Sequence, residues 1–179
     1  MPEIYTKQQV DQIVGDAVKA SQEIILPIGG QWGIQNNEVN AWGVLGFVDN
    51  NNTQDVGNYT NKNTLNSVNF GGYTLPYDAY VVDAHIKFRV NNADVIGFTW
   101  MLYEQDKVVG GANPTTLKYE SALITPGNNS DQEHNFTAAD MVNNNFAAKN
   151  VISLAVGCPT QGINRNAQVY GGYVRLRKA

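Results

Sequence analysis

The chain has 179 residues, a formal net charge of −4 and only 16% charged residues, against about 25% in an ordinary soluble domain. That length points to one domain, with at most an appendage. Lys and Arg, outnumbered 12 to 16 by Asp and Glu and scattered along the chain, argue against a nucleic-acid binder, which needs clustered cations against phosphate.

Asn, Gly, Thr and Gln supply the missing polarity. A surface polar through amides suits a rigid β protein that is well paired or assembled. Cys158 is the only cysteine, so neither an internal disulfide nor a Cys-rich metal site can form. No basic segment followed by an apolar run marks a secretory signal. No stretch approaches the ~18 consecutive apolar residues of a membrane span. The expectation is a protein made in a cytoplasm, with no membrane partner. Asn51, Asn58, Asn128 and Asn135 each begin an Asn-Xaa-Ser/Thr triplet, read here as chance in an Asn-rich chain.

The first predicted element is a helix from Thr6 to about Glu23 or Ile25. Thr6 and Gln9 have capping-box spacing, and Tyr5 and Val10 that of a hydrophobic staple. "LPIGG" should stop it, because Pro27 cannot continue a helix and Gly29–Gly30 frees the backbone. Val10, Ile13, Ala17, Ala20 and Ile24 follow a 3-4-3-4 seam of coiled-coil type. Val14, Val18 and Ile25 widen the stripe, as they would if the helix lay on its own domain. A helix this short is marginal alone, and Gly15 weakens it by up to ~1 kcal/mol relative to Ala. It therefore needs a partner surface.

Strands follow. "QWGIQ" (31–35) and "AWGVLGFVD" (41–49) are apolar and Trp-bearing. Residues 50–69 read as a long surface excursion with, at most, a short edge strand. In "YVVDAHIKFRV" (80–90), Val82, Ala84, Ile86, Phe88 and Val90 alternate with polar residues, so one face is buried. "VIGFTWMLY" (95–103) is apolar on both faces, as a covered central strand would be. "TTLKYESALI" (115–124) alternates again and is closed by the turn "TPGN" (125–128). Residues 135–147 have room for one or two helical turns. "NVISLAVG" (150–157) and "VYGGYVRLRK" (169–178) end the domain, the latter with Tyr170, Val174 and Leu176 on one face. Paired Gly beside Tyr, in "FGGY" (70–73) and "YGGY" (170–173), reads as a bulge or a close backbone approach. The predicted fold is mainly β: an antiparallel sandwich, best a jelly roll, at residues 27–179, preceded by an amphipathic helical segment at 1–26.

Chemistry is thinly signalled. His85 on a strand face and His134 in a loop fit no metal-ligand spacing. Cys158 reads as a structural thiol. "DNNNTQD" (49–55) lacks the Gly and closing Glu of a calcium loop. Asp83, Asp94, Glu104, Asp106 and Glu120 form no local pair of the kind glycosidic cleavage needs. The reading is of no catalytic site, no metal and no cofactor. Trp32, Trp42 and Trp100 lie in apolar strands and read as core or interface anchors. The loops at 50–69 and 125–135, through Asn52, Tyr59, Asn128 and Asn129, are the candidate contacts for a host glycan or receptor.

The heptad-seamed helix at 5–26 ("YTKQQVDQIVGDAVKASQEIIL"), its Pro-Gly-Gly break and the low-charge β domain beyond resemble tailed-bacteriophage virion surface proteins of the trimeric head decoration (cement) or head-fibre type. The resemblance is one of organisation and carries no binding motif. It implies a non-enzymatic homotrimer on the virion surface. The helix, through Tyr5, Val10, Ile13, Val14, Ala17, Val18, Ala20 and Ile24, would trimerise the chain or dock it on the major capsid protein or another virion protein. The alternative is a receptor- or glycan-binding tip of a fibre.

Overall fold

The helix begins where its cap sets it. Thr6 Oγ1 accepts from Gln9 N at 3.3 Å, while Gln9 Oε1 accepts from Thr6 N at 2.8 Å, the reciprocal pairing of a capping box. α1 spans Lys7–Ser21. It stops short of the expected end because the next residues are taken by a sheet. β1 (Glu23–Pro27) pairs antiparallel with the C-terminal strand, Ile24 opposite Leu176 and Leu26 opposite Val174. The computed structural model describes residues 6–34, 38–41, 54–65, 72–90, 97–106, 108, 111, 113–125, 130–159 and 165–179. Most of the expected strand at 41–49, Trp42, Asp94 and the turn at 126–128 lie outside them.

The remaining strands are β2 (Gly30–Ile34), β3 (Glu38–Ala41), β4 (Gln54–Asn58), β5 (Tyr73–Thr74), β6 (Ala79–Val90), β7 (Thr99–Gln105), β8 (Thr115–Glu120), β9 (Asp131–Thr137), β10 (Asn145–Phe146), β11 (Val151–Gly157) and β12 (Arg165–Lys178). They form two antiparallel sheets. In the first, β1 and β2 flank one side of β12, β6 the other, and β9 and β10 lie beyond β6. In the second the order is β4-β3-β11-β7-β8, with β5 also on β11. The pairs nest: β2 with β12, β3 with β11, β6 with β9, β7 with β8. A long hairpin folded over on itself gives that nesting, and it is the jelly-roll connection. The mainly β sandwich expected from the sequence is the fold.

The inner faces of the sheets supply one core. Val81, Ile86, Phe88, Val174 and Leu176 meet Trp100, Leu102, Ile152, Leu154 and Val156. At its centre the rings of Phe88, Phe98 and Trp100 are mutually perpendicular, with centroids 5.4–5.7 Å apart, each pair adding about 0.5–1.5 kcal/mol beyond area burial. Trp100 is thus the core anchor its sequence context indicates. β7 is buried along its whole length. Its outer face is covered by residues 59–65: Tyr59 and Leu65 pack with Met101, Tyr103 and Ala155. The segment read as a surface excursion is in part a lid on the second sheet.

Bulges in β6, β12 and β8 shift the simple alternation. Opposite Arg175 and Leu176, β6 carries an extra residue, so Val81 rather than Val82 is buried. In β12 the register slips between Val169 and Gly171, which buries Val169 and turns Tyr170 outward. Tyr170 therefore does not share the face of Val174 and Leu176. In β8 the register slips at Lys118, so that both Lys118 and Tyr119 are buried. The second Gly of each pair is a close approach: a Cβ on Gly72 would stand 2.1 Å from Ile152 O, and on Gly172 2.2 Å from His85 O. The helical turns expected within 135–147 reduce to one 3-10 turn, Ala138–Asp140. His134 lies in β9, opposite Ile86, and not in a loop.

Candidate functional site

α1 presents the first part of its apolar stripe to solvent. Val10, Ile13 and Val14 are 44%, 53% and 55% exposed. Ala17, Val18 and Ala20 continue the helix backbone toward Ser21. Ile24, expected on the same seam, is instead in β1 and packs on the sandwich core. The reason is parity: in an antiparallel strand Ile24, Leu26 and Ile28 share the inward face, and Leu26 and Ile28 are buried while Ile25 faces out. The helix and its stripe therefore end before the sandwich begins. Tyr5, Asn52, Asn128 and Asn129 lie outside the described residues.

Tyr59, the remaining candidate glycan contact, begins a 3-10 turn capped by Asn58. Its ring lies against Gly157 and the second cluster, and Lys62 stands 4.0 Å over it. Its hydroxyl donates to Glu120 and accepts from Lys62 Nζ at 2.9 Å. Burial and the Glu120 acceptor raise its pKa. Tyr59 thus locks the lid onto β8.

Three of the carboxylates singled out in the sequence, Asp83, Glu104 and Glu120, have separate partners. Asp83 forms an ion pair with Arg175 on the outer face of the first sheet, where Glu23 binds Arg177. Glu120 binds Lys62 at 2.6 Å. Glu104 is buried and takes three donors: Lys118 Nζ at 2.7 Å on Oε2, then Ala147 N at 2.6 Å and Asn150 Nδ2 at 2.9 Å on Oε1. No cluster of His, Cys, Asp or Glu able to hold a metal occurs among the described residues. Cys158 is buried beside Gly97 O.

Two features escaped the sequence reading. His134 Nε2 meets Tyr119 Oη at 2.7 Å, and the Tyr119 ring stacks on Phe136 with centroids 3.9 Å apart. Burial pushes Tyr119 up to about 12 and lowers His134. The second is a cleft of about 490 Å³ at the end of the sandwich that carries the chain's C-terminus, lined by Asp78, Glu104, Lys118, Asn145, Asn150 and Ala179 among others. The bulge at Lys118 is what aims a lysine inward there, and a bulge leaves no periodic trace in sequence.

No protein-family model matches the chain, and no curated protein matches it. It is similar to two solved structures of infectious bursal disease virus. For the Gt strain the identity is 13% and the TM-score 0.43, over 88% of this chain and 33% of that one. For the Gx strain they are 11% and 0.41, over 88% and 31%. The chain spans about a third of the length of each.

Proposed function

We propose that this chain is a non-enzymatic structural protein of a virion, an oligomeric head decoration (cement) or head-fibre protein of a tailed phage. α1 assembles three copies through Val10, Ile13, Val14, Ala17, Val18 and Ala20. The jelly roll projects from that stalk, and the major capsid protein or another virion protein is the shell partner. The observation that carries the reading is the exposed stripe of Val10, Ile13 and Val14 on a capped helix. Water disfavours it by roughly 25 cal/mol per Å² of apolar area, a few kcal/mol per chain if sister helices cover it. Among the described residues the buried apolar side chains of the sandwich begin at Leu26, which supports a core that closes without the helix. The partnering of Glu104, Glu120 and Asp83 supports a structural over a hydrolytic role. The engagement of Tyr59 by Glu120 and Lys62 supports assembly over glycan capture.

Native mass by light scattering tests the proposal. The full chain is expected at three times its 19.6 kDa, and Val10→Glu with Ile13→Glu at one. A monomer that persists at high concentration overturns self-assembly and leaves the helix for a foreign partner.

A further inference from the structure

The cleft at the C-terminal end of the sandwich holds one arrangement that the assembly role does not use. Lys118 and Glu104 are 6% and 9% exposed. A buried ion pair is seldom worth its desolvation as a source of stability, so its presence calls for another account. Lys118 reaches the interior only because β8 bulges at that residue. Its ammonium lies 2.7 Å from Glu104 Oε2, 2.8 Å from Asn145 O and 5.2 Å from the Phe146 ring centre. The other oxygen of the same carboxylate accepts from the carboxamide nitrogen of Asn150 at 2.9 Å. One buried carboxylate therefore bridges a primary amine and a primary amide.

The backbone around Asn150 is fixed to the same degree. Lys149 has φ 69°, a left-handed conformation that a non-Gly residue keeps only when its surroundings impose it. They do so here. Lys149 N donates to Leu75 O at 2.7 Å, Ala148 N to Asp78 Oδ1 at 2.7 Å, Ala147 N to Glu104, and Leu75 N to Asn150 O at 3.1 Å. β5, beside Leu75, is in turn on β11.

From this geometry we propose that Lys118 and Asn150 form an intramolecular isopeptide bond, with Glu104 as the proton carrier. Glu104 Oε2 takes a proton from the Lys118 ammonium, leaving a neutral amine. Its nitrogen attacks Asn150 Cγ, and a new C–N bond forms. Glu104 delivers a proton to Nδ2 through Oε1, the oxygen that already accepts from it. The Cγ–Nδ2 bond breaks, the attacking nitrogen gives up its extra proton to the carboxylate, and ammonia leaves as ammonium. One ammonium and one carboxamide become one secondary amide and one ammonium ion, with no oxidant, nucleotide or second protein required. The burial of Lys118 and Glu104 strengthens the electrostatics of each proton transfer, and the cleft gives ammonia a path to solvent. The bond would tie β8 to the start of β11 across the second sheet.

Intact mass of the denatured full chain decides it. The expected mass is lower than the sequence mass by one ammonia, about 17 Da, and digestion yields a branched peptide joining the segments that contain Lys118 and Asn150. Glu104→Gln, which keeps the shape of the side chain, is expected to restore the full mass. An unmodified mass in purified protein held for days overturns the proposal. A loss of ammonia in which the Lys118 peptide stays linear also overturns it, because that loss is a succinimide at another Asn. A cross-link formed as fast in the Glu104→Gln variant overturns the role given to Glu104.

Discussion

Gly172 sits where β12 passes closest to β6. A Cβ there would stand 2.2 Å from His85 O, inside a paired strand, whereas a Cβ on Gly171 would meet nothing within 4 Å. Gly172→Ala is therefore expected to cost about 1–3 kcal/mol, the scale of forced overpacking, and Gly171→Ala clearly less. Urea unfolding of the two variants checks it; equal losses would show that the approach relaxes freely. His134 gives a residue-scale prediction in pH. Burial lowers its pKa below the ordinary 6.5, so the folded state binds that proton less tightly than the unfolded chain. Below 6.5 the unfolded chain takes up a proton the folded one resists, and stability falls as pH drops. Asp140, depressed chiefly by the Thr137 N–H and hydroxyl and less by the nearby His134, adds a further loss as pH falls below its ordinary 3.8. His134→Gln is expected to flatten the melting-temperature curve between about pH 7 and about pH 5, and to keep the larger part of the lower branch, which Thr137 sets. An unchanged slope in that variant would assign the upper branch to other groups.

At the scale of elements, α1 carries the exposed apolar residues Val10, Ile13 and Val14. Gly15 has open space where a Cβ would go, so Gly15→Ala should stabilise the helix by up to ~1 kcal/mol, and Thr6→Ala should weaken it by about 1 kcal/mol through loss of the cap. If sister helices pair, both changes move the concentration of half-dissociation, in opposite directions, while the sandwich melts as before; dilution series with far-ultraviolet circular dichroism read both. A helix that lay on its own sandwich would couple the two transitions. The elements differ in how legible they were. The capping box of Thr6 and Gln9, the both-face burial of β7 and the alternation of β6 beyond Ala84 are local, periodic signals, and each stands in the structure. β9 left almost none: "DQEHNFT" buries only Phe136, so a polar edge strand looked like loop. The bulges at Val82, Tyr170 and Lys118 reverse the parity of neighbouring residues, which no fixed period can register. Ile24 was assigned to the helix because it continues the seam, yet pairing of β1 with β12 outweighed local helix propensity. The Glu104–Lys118–Asn150 cluster was invisible because β7, the bulge of β8 and the turn before β11 supply it together.

For the whole molecule, the junction between α1 and the sandwich decides which truncations survive. The sequence pattern places it after residue 26, at Pro27. The structure begins the first sheet at Glu23. Within β1, Leu26 is buried, Ile24 packs on the core, and Glu23 binds Arg177 across the strand pair. The C-terminus is fastened at the same place: Lys178 N donates to Gln22 O at 3.1 Å and Ala179 N to Asp78 O at 2.9 Å. A chain lacking residues 1–21 keeps all of these contacts. It is expected to fold with an unchanged melting temperature, to run as a monomer, and to fail to co-sediment with capsids that retain the full chain. A chain lacking residues 1–27 loses two apolar side chains from the core, at about 1.5–3 kcal/mol for each one fully buried, and bares one side of β12 along Tyr173–Arg177. It is expected to lose several kcal/mol and to aggregate through that edge. Paired thermal melts and sedimentation of the two truncations separate the roles. If the shorter deletion already destabilises the sandwich, α1 is part of the domain and the stalk reading fails. If it stays stable and monomeric yet still binds capsids, the jelly roll itself is the shell-binding element and the helix only sets the number of copies.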